Sequence, residues 1–268
     1  MDILERIVQA KRAQIARDKA EAPLRRVIEL ATTALPPRDF PAALRRGGRA
    51  SIIAEIKRAS PSKGDIQPGA DVARVAETYE RAGAAALSVL TEAGFFLGAP
   101  EHLGEAKRAV SVPVLRKDFI LEEYQLWESR LFGADAVLLI VAALAPTQLR
   151  ELMQAAKGLG LGSLVEVHTR EELDVALTAG ASLIGVNNRN LQTFETSLEI
   201  SLALIPTIPE GPIVVRESGI FTREDVLRVV AAGAHAVLVG EALVRAADVA
   251  AKVRELALLD QQKLSADR

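Results

Sequence analysis

The chain has 268 residues, a formal net charge of −2 and no cysteine, and 49% of its residues are hydrophobic. These figures supply ample core material and exclude disulfides, thiolate metal sites and cysteine nucleophiles together. The charges are interspersed, so no nucleic-acid footprint stands out, and no window reaches the roughly 18 consecutive apolar residues of a membrane span.

The chain opens Met1-Asp2-Ile3-Leu4-Glu5-Arg6, without the cationic start and apolar run of a secretory signal, so a cytoplasmic protein is expected. Ile3, Leu4, Ile7, Val8 and Ile15 recur at helical spacing and predict an amphipathic helix over 2–20. Pro23 opens a second helical stretch to about residue 31. Pro36-Pro37 break it, and Asp39 can cap a third from about 39 to 46.

The first strand is Ser51-Ile52-Ile53-Ala54-Glu55-Ile56-Lys57. Side chains alternate along a strand, so Ile53, Glu55 and Lys57 share one face. Two charges ending a buried strand are costly unless they serve a site. The run 58–70, with two prolines and two glycines, reads as a loop and a candidate lid.

From there strand-like and helical patterns alternate. Strands are expected at 51–57, 85–90, 112–116, 135–140, 163–167, 182–187, 212–216 and 235–239. Helices are expected at 71–82, 100–109, 122–132, 146–158, 170–179, 197–205, 222–232 and 248–258. Four helices end in the same punctuation, Ala82-Gly83-Ala84, Phe132-Gly133-Ala134, Ala179-Gly180-Ala181 and Ala232-Gly233-Ala234, as a left-handed C-cap requires. Strict β-then-α order implies parallel strands and right-handed crossovers. An open doubly wound sheet is the alternative, but eight units in this length favour an α/β fold of (β/α)8 type, a TIM barrel. It would form a single domain over 1–268, with 1–48 as a helical extension. Gly158-Leu159-Gly160-Leu161-Gly162 precedes a strand rather than following one, and reads as a helix stop.

Such a barrel carries its site at the C-terminal ends of the strands. On one consistent inward face Glu55, Lys57, Lys117, Glu166, Asn187, Arg189 and Glu217 converge there, while Arg116 points the other way. Ser218-Gly219 after strand 7 and Gly240 after strand 8 suggest a phosphate cradle, with Glu241 turned outward. His102, His168 and His235 lack metal-ligand spacing, so no metal is expected. Carbonyl chemistry at such a mouth wants an ammonium acid. Its pKa would be lowered by a cationic neighbour, for which Lys57 is the candidate.

The strings Ala54-Glu55-Ile56-Lys57-Arg58-Ala59-Ser60-Pro61-Ser62-Lys63-Gly64, Leu115-Arg116-Lys117-Asp118-Phe119-Ile120, Leu164-Val165-Glu166-Val167-His168, Gly185-Val186-Asn187-Asn188-Arg189-Asn190-Leu191 and Glu217-Ser218-Gly219-Ile220 together resemble the indole-3-glycerol phosphate synthase family along essentially the whole chain. The resemblance implies ring closure, decarboxylation and dehydration of 1-(2-carboxyphenylamino)-1-deoxyribulose 5-phosphate, with no cofactor. It implies Lys117 as general acid, Glu166 assisting proton transfer, and Glu55 in dehydration with Asn187 positioning it. Lys57 and Arg189 would take the substrate carboxylate and phosphate. Ser60, Ser218, Gly219 and Gly240 would line the phosphate, and Glu217 would hydrogen-bond within the cluster. Phe96 and Phe119 would sandwich the anthranilate ring near Pro61. The family's N-terminal helices cover the barrel top, whereas a plain reading has them cap its bottom, with Arg45 and Arg46 available to an anion. Two departures stand out: Ala93–Ala99 lacks an expected Ser or Thr after its last glycine, and Val141-Ala142-Ala143 replaces a lysine after strand 4. A small-molecule substrate and a monomer are expected. The competing readings are a non-catalytic sugar-phosphate sensor, and another phosphate-binding barrel such as phosphoribosylanthranilate isomerase, whose cysteine this chain lacks.

Overall fold

The computed structural model describes residues 2–45, 50–60, 64–65, 69–189 and 197–258, with backbone alone for Ser60 and Asp65. Among them eight parallel strands close a barrel: β1 (Ser51–Ile56), β2 (Ala86–Leu90), β3 (Val114–Lys117), β4 (Ala136–Ile140), β5 (Gly162–Val167), β6 (Leu183–Asn187), β7 (Ile213–Glu217) and β8 (Ala236–Val239). β1 closes on β8 through Ser51↔Ala236 to Ala54↔Val239. The TIM barrel anticipated from the alternation is therefore present. The run after β1, read as loop, contains a two-residue antiparallel ladder, Ala59–Ser60 on Gly64–Asp65.

Alternation sorts the core into two layers. Ile53, Leu115, Leu138, Leu164, Leu183, Ile213 and Leu238 fill the barrel interior. Ile52, Ala54, Ile56, Val165, Ile184 and Val214 face the surrounding helices. The crossover helices include α4 (Val72–Arg81), α6 (Glu101–Ala109), α7 (Glu123–Leu131), α8 (Pro146–Gly158), α9 (Arg170–Thr178), α10 (Leu198–Leu204) and α11 (Arg223–Ala231), with α13 (Val249–Leu256) closing the ring. Gly83, Gly133, Gly180 and Gly233 all have φ between 85° and 110°, as the repeated punctuation requires. Among the described residues two short α-helices fall outside the expected pattern of crossovers. These are α5 (Ala93–Phe96) after β2 and α12 (Glu241–Val244) after β8.

The N-terminal helices serve both ends of the barrel. α1 (Ile3–Glu21) crosses the top, where Ile7, with Ile3 and Leu4, joins the interior apolar cluster that also takes in Phe95, Phe96 and Phe119. Lys11 of α1 reaches Asp118, just past β3, at 2.7 Å, with both side chains buried. α2 (Leu24–Ala31) runs along α7. α3 (Phe40–Leu44), capped by Asp39, plugs the bottom. Its buried Phe40 and Leu44 enter the interior layer, and the Leu44 carbonyl accepts from the Ser51 hydroxyl at the start of β1. Each earlier reading of the extension thus holds for a different helix. Arg45 is spent on the Gly211 carbonyl at the bottom, away from any anion at the mouth, and Arg46 lies outside the described residues. No helix among the described residues is long and apolar enough to cross a membrane.

Candidate active site

A cleft opens at the C-terminal ends of the strands. Glu55, Lys57, Phe96, Lys117, Phe119, Glu166, Asn187, Arg189, Glu217, Ser218, Gly219 and Gly240 all line it, as does Glu241. The side chain of Ser60 and all of Pro61 lie outside the described residues. Leu90, Leu138, Ile140, Ile220, Leu238 and Phe221 supply an apolar wall that the sequence reading did not single out.

Four charged positions come from odd-numbered strands: Glu55 on β1, Lys117 on β3, Glu166 on β5 and Glu217 on β7. Alternate strands of such a barrel share a layer, which explains why these four meet. Lys117 Nζ donates to Glu166 Oε2 at 2.8 Å and to Glu217 Oε2 at 2.9 Å. Burial alone would lower its pKa, but Glu166, Glu217 and Glu55 outweigh that, and Lys117 sits above the ordinary lysine value. The expected lowering by Lys57 is therefore overturned. Lys57 instead donates to Glu55 at 2.6 Å and is neutralised there.

The two carboxylates on Lys117 are driven apart. Burial opposes ionisation of Glu166, but Lys117 and His168 outweigh it, and Glu166 lies below the usual carboxylate range. Burial, and then the charge of Glu166 beside it, push Glu217 up to about 7 against the pull of Lys117. Such a pair can hold one fixed negative charge and one exchangeable proton. Asn187 faces Glu166 and stabilises its ionised form, and its Oδ1 accepts the Arg189 backbone N–H at 3.0 Å. These are its contacts with Glu166 and Arg189, whereas Glu55 is paired with Lys57.

Two glycines make the cluster possible. A Cβ at Gly185 on β6 would overlap the Glu217 carboxylate, and one at Gly240 would overlap Glu55. Gly240 thus has a packing duty that the phosphate reading missed. Ser218 and Gly219 both have positive φ, 63° and 78°, turning the chain sharply at the end of β7. For serine that conformation is strained, and such strain concentrates at binding sites. Glu241, expected to face outward, instead turns into the cleft. It contacts Arg189 Nη2 at 3.4 Å and Arg245 at 2.8 Å. Two neighbouring cations hold it there.

Behind the cluster, Arg116 points outward as expected. It is buried against Asp118 at 3.0 Å and Glu128 at 2.7 Å. Glu92 caps α5 by accepting the backbone N–H groups of Gly94, Phe95 and Phe96, which sets Phe96 at the cleft wall. A carboxylate able to cap those donors was legible as Glu92, but Gly94 at the second position obscured the helix.

The indole-3-glycerol phosphate synthase family model matches residues 4–256 of the chain. The indole-3-glycerol phosphate synthase of Carboxydothermus hydrogenoformans is 47% identical over 253 residues, covering 91% of this chain and 96% of that protein. That of Chlorobium luteolum is 52% identical, covering 91% and 93%. Among solved structures, 3-hexulose-6-phosphate synthase from Salmonella typhimurium has a TM-score of 0.61 at 16% identity, over 78% of this chain and 97% of that one. Thiamine phosphate pyrophosphorylase from Pyrococcus furiosus has a TM-score of 0.56 at 18% identity, over 77% and 93%. These two share the barrel. The family match and the two close relatives carry more, and on them the chain belongs to the indole-3-glycerol phosphate synthase family.

Proposed function

We propose that Lys117 is the general acid of an indole-3-glycerol phosphate synthase, protonating the ketone oxygen of 1-(2-carboxyphenylamino)-1-deoxyribulose 5-phosphate as the ring carbon bearing the carboxylate attacks. The enzyme is a carboxy-lyase of tryptophan biosynthesis. The observation that carries this reading is the Lys117 ammonium held between Glu166 and Glu217 at the floor of an apolar-walled cleft. Its high pKa keeps it charged, and the alkoxide formed on ring closure is far more basic still, so the transfer runs downhill. Glu166, ionised, faces the positive charge that develops on the aniline nitrogen. Carbon dioxide then departs, and the Glu55–Lys57 pair serves the dehydration. Asn187 keeps Glu166 in its ionised form. Phe96 and Phe119 take the aromatic ring between them.

Lys57 takes the substrate carboxylate in this reading, and Arg189 the phosphate beside the turned backbone of Ser218 and Gly219 and the close approach at Gly240. By the family resemblance Ser60 belongs with the phosphate and Pro61 with the aromatic ring. Arg189 exchanges Glu241 for the phosphate, so part of its attraction offsets the loss of that pair. The chain works as a single domain and a monomer in the cytoplasm, on a small molecule, without cofactor or nucleic acid.

The test is turnover. The purified protein mixed with the carboxyphenylamino substrate is expected to produce indole fluorescence with EDTA present, and Arg189→Ala to raise KM roughly tenfold with kcat within about threefold. Tight binding without product would favour the sensor reading. A fall in kcat alone for Arg189→Ala would remove its anion-binding role.

Gly185 gives a second check on the same cluster. Gly185→Ala is expected to fold yet lose roughly 100-fold in kcat, because its methyl group displaces Glu217 from Lys117. A full rate in that variant would mean that Glu217 need not touch Lys117.

A further inference from the structure

We propose that His168 is a positioning and relay residue that returns a proton from solvent to Glu166 in each turnover, through Glu172. The inference rests on the roles proposed for Lys117 and Glu166.

Proton balance requires such a route. The substrate carboxylate leaves as neutral carbon dioxide, its bonding electrons returning to the ring. Two protons are placed on the former ketone oxygen before it departs as water, and one is released from the adjoining methylene as the five-membered ring becomes aromatic. One proton must therefore enter from solvent per cycle, yet the Glu166 and Glu217 side chains are only 2% and 1% exposed.

His168 follows β5 directly, and its side chain lies behind Glu166. Its Nε2 stands 3.5 Å from Glu166 Oε1, while Glu166 Oε2 accepts from Lys117. That Nε2 is buried and makes no hydrogen bond, so it is free to donate to Glu166 after a small approach. Glu172, in the first turn of α9, fixes the other side of the ring. Its Oε2 lies 3.2 Å from Nδ1 and also accepts the His168 backbone N–H at 2.6 Å. Side-chain exposure rises along the series, 2% at Glu166, 10% at His168 and 21% at Glu172. The line thus runs from a sealed carboxylate to water. Burial would discharge the ring, but Glu172, Glu166 and Glu217 outweigh it and raise its pKa, which keeps a proton loaded. In the transfer the imidazolium gives its Nε2 proton to Glu166 Oε1. A turn of that carboxyl group passes the proton to the Lys117 amine, and the neutral ring, which still carries its Nδ1 proton, turns over so that the bare Nε2 takes a new proton on the Glu172 side, then turns back.

His168→Gln keeps an amide near Nε2 but cannot carry the charge. It is expected to lower kcat roughly tenfold, with KM within about twofold, and to enlarge the solvent deuterium effect on kcat. Imidazole is expected to restore His168→Ala. Wild-type kcat and isotope effect in His168→Gln would overturn the relay, as would a folded His168→Ala that imidazole leaves inactive. Should the alanine variant not fold, the wild-type ring still reports. With only three histidines in the chain, its ¹⁵N resonances are assignable, and Glu166→Gln and Glu172→Gln are each expected to lower the His168 midpoint. An unmoved midpoint in both overturns the proposal. Glu166→Gln at full rate would instead sink the role given to Glu166. Loss in Glu166→Gln without loss in His168→Gln would sink the relay alone.

Discussion

Lys117→Ala is expected to lower kcat by roughly a thousandfold, the range of a lost general acid, with substrate still bound. The structure adds a second effect, on stability. Removing the ammonium leaves Glu166 and Glu217 facing each other with no cation between them, and both side chains are almost fully buried. Breaking a buried pair from one side costs about 3 kcal/mol. The sign with pH follows from the direction of the shifts. Without Lys117, Glu217 stays above the unfolded value of about 4.3 and loses the charge that held it down, and Glu166 loses the strongest influence lowering its own. Groups raised in the folded state contribute stability fully below the unfolded pKa, and that contribution is lost as pH rises through the folded ones. The variant should therefore approach wild-type thermal stability below about pH 4 and fall away from it toward neutrality. Glu217, already near 7 beside Lys117, is the first group whose charge is tolerated least. Thermal unfolding from pH 4 to 8 checks this. A constant offset between the two proteins would mean that the carboxylates are not coupled through Lys117, and a near-normal rate would remove Lys117 from the mechanism.

The layer that creates this coupling was within reach of the sequence. Alternation placed Glu55, Lys117, Glu166 and Glu217 on the inward face, and the glycine punctuation located the strands to within about two residues. The further step was to notice that all four lie on odd strands and so occupy one layer, which sets Lys117 among carboxylates rather than beside Lys57. Lys57 lies two residues beyond Glu55 on the same face, and folds back onto it at 2.6 Å. Side-chain direction at a strand end is free of the pleat, and the pattern says nothing about it. Glu241 was misplaced for a related reason. Its position at a helix start argued for avoiding phosphate, but Arg189 arrives from β6, 52 residues earlier, and draws it inward. Gly185 and Gly240 looked like ordinary strand and cap glycines because the atoms they make room for are remote in sequence. His168 was visible as a polar strand end, and only the fold shows it wedged between Glu166 and Glu172.

Lys11→Met is the other large expectation, and it concerns the lid of the barrel. Lys11 is a charged residue on an amphipathic helix, yet it is buried and its ammonium meets Asp118 at 2.7 Å. Asp118 also accepts from Arg116, from the Thr91 hydroxyl at 2.6 Å and from the Phe119 backbone at 2.8 Å. Burial opposes its charge, but Arg116 and Lys11 outweigh that and hold it below the usual carboxylate range. This one carboxylate therefore ties α1, Thr91 just past β2 and the segment after β3 together next to Lys117. Methionine fills the volume but leaves a lobe of the carboxylate uncompensated, at a cost of about 2–3 kcal/mol concentrated in the docking of α1. Since Asp118 is depressed in the folded state, the stability it contributes is present above its unfolded pKa and lost as pH falls through the folded one. The difference between variant and wild type should therefore narrow in acid. α1 adds Ile3, Leu4 and Ile7 to the apolar cluster that includes Phe96 and Phe119, so its loosening should also raise KM severalfold while kcat changes little. Amide exchange in α1 is the sharpest readout. Faster exchange there, with the strands still protected, is the expected result. Unchanged protection of α1 would show that the apolar contacts alone hold the helix over the mouth.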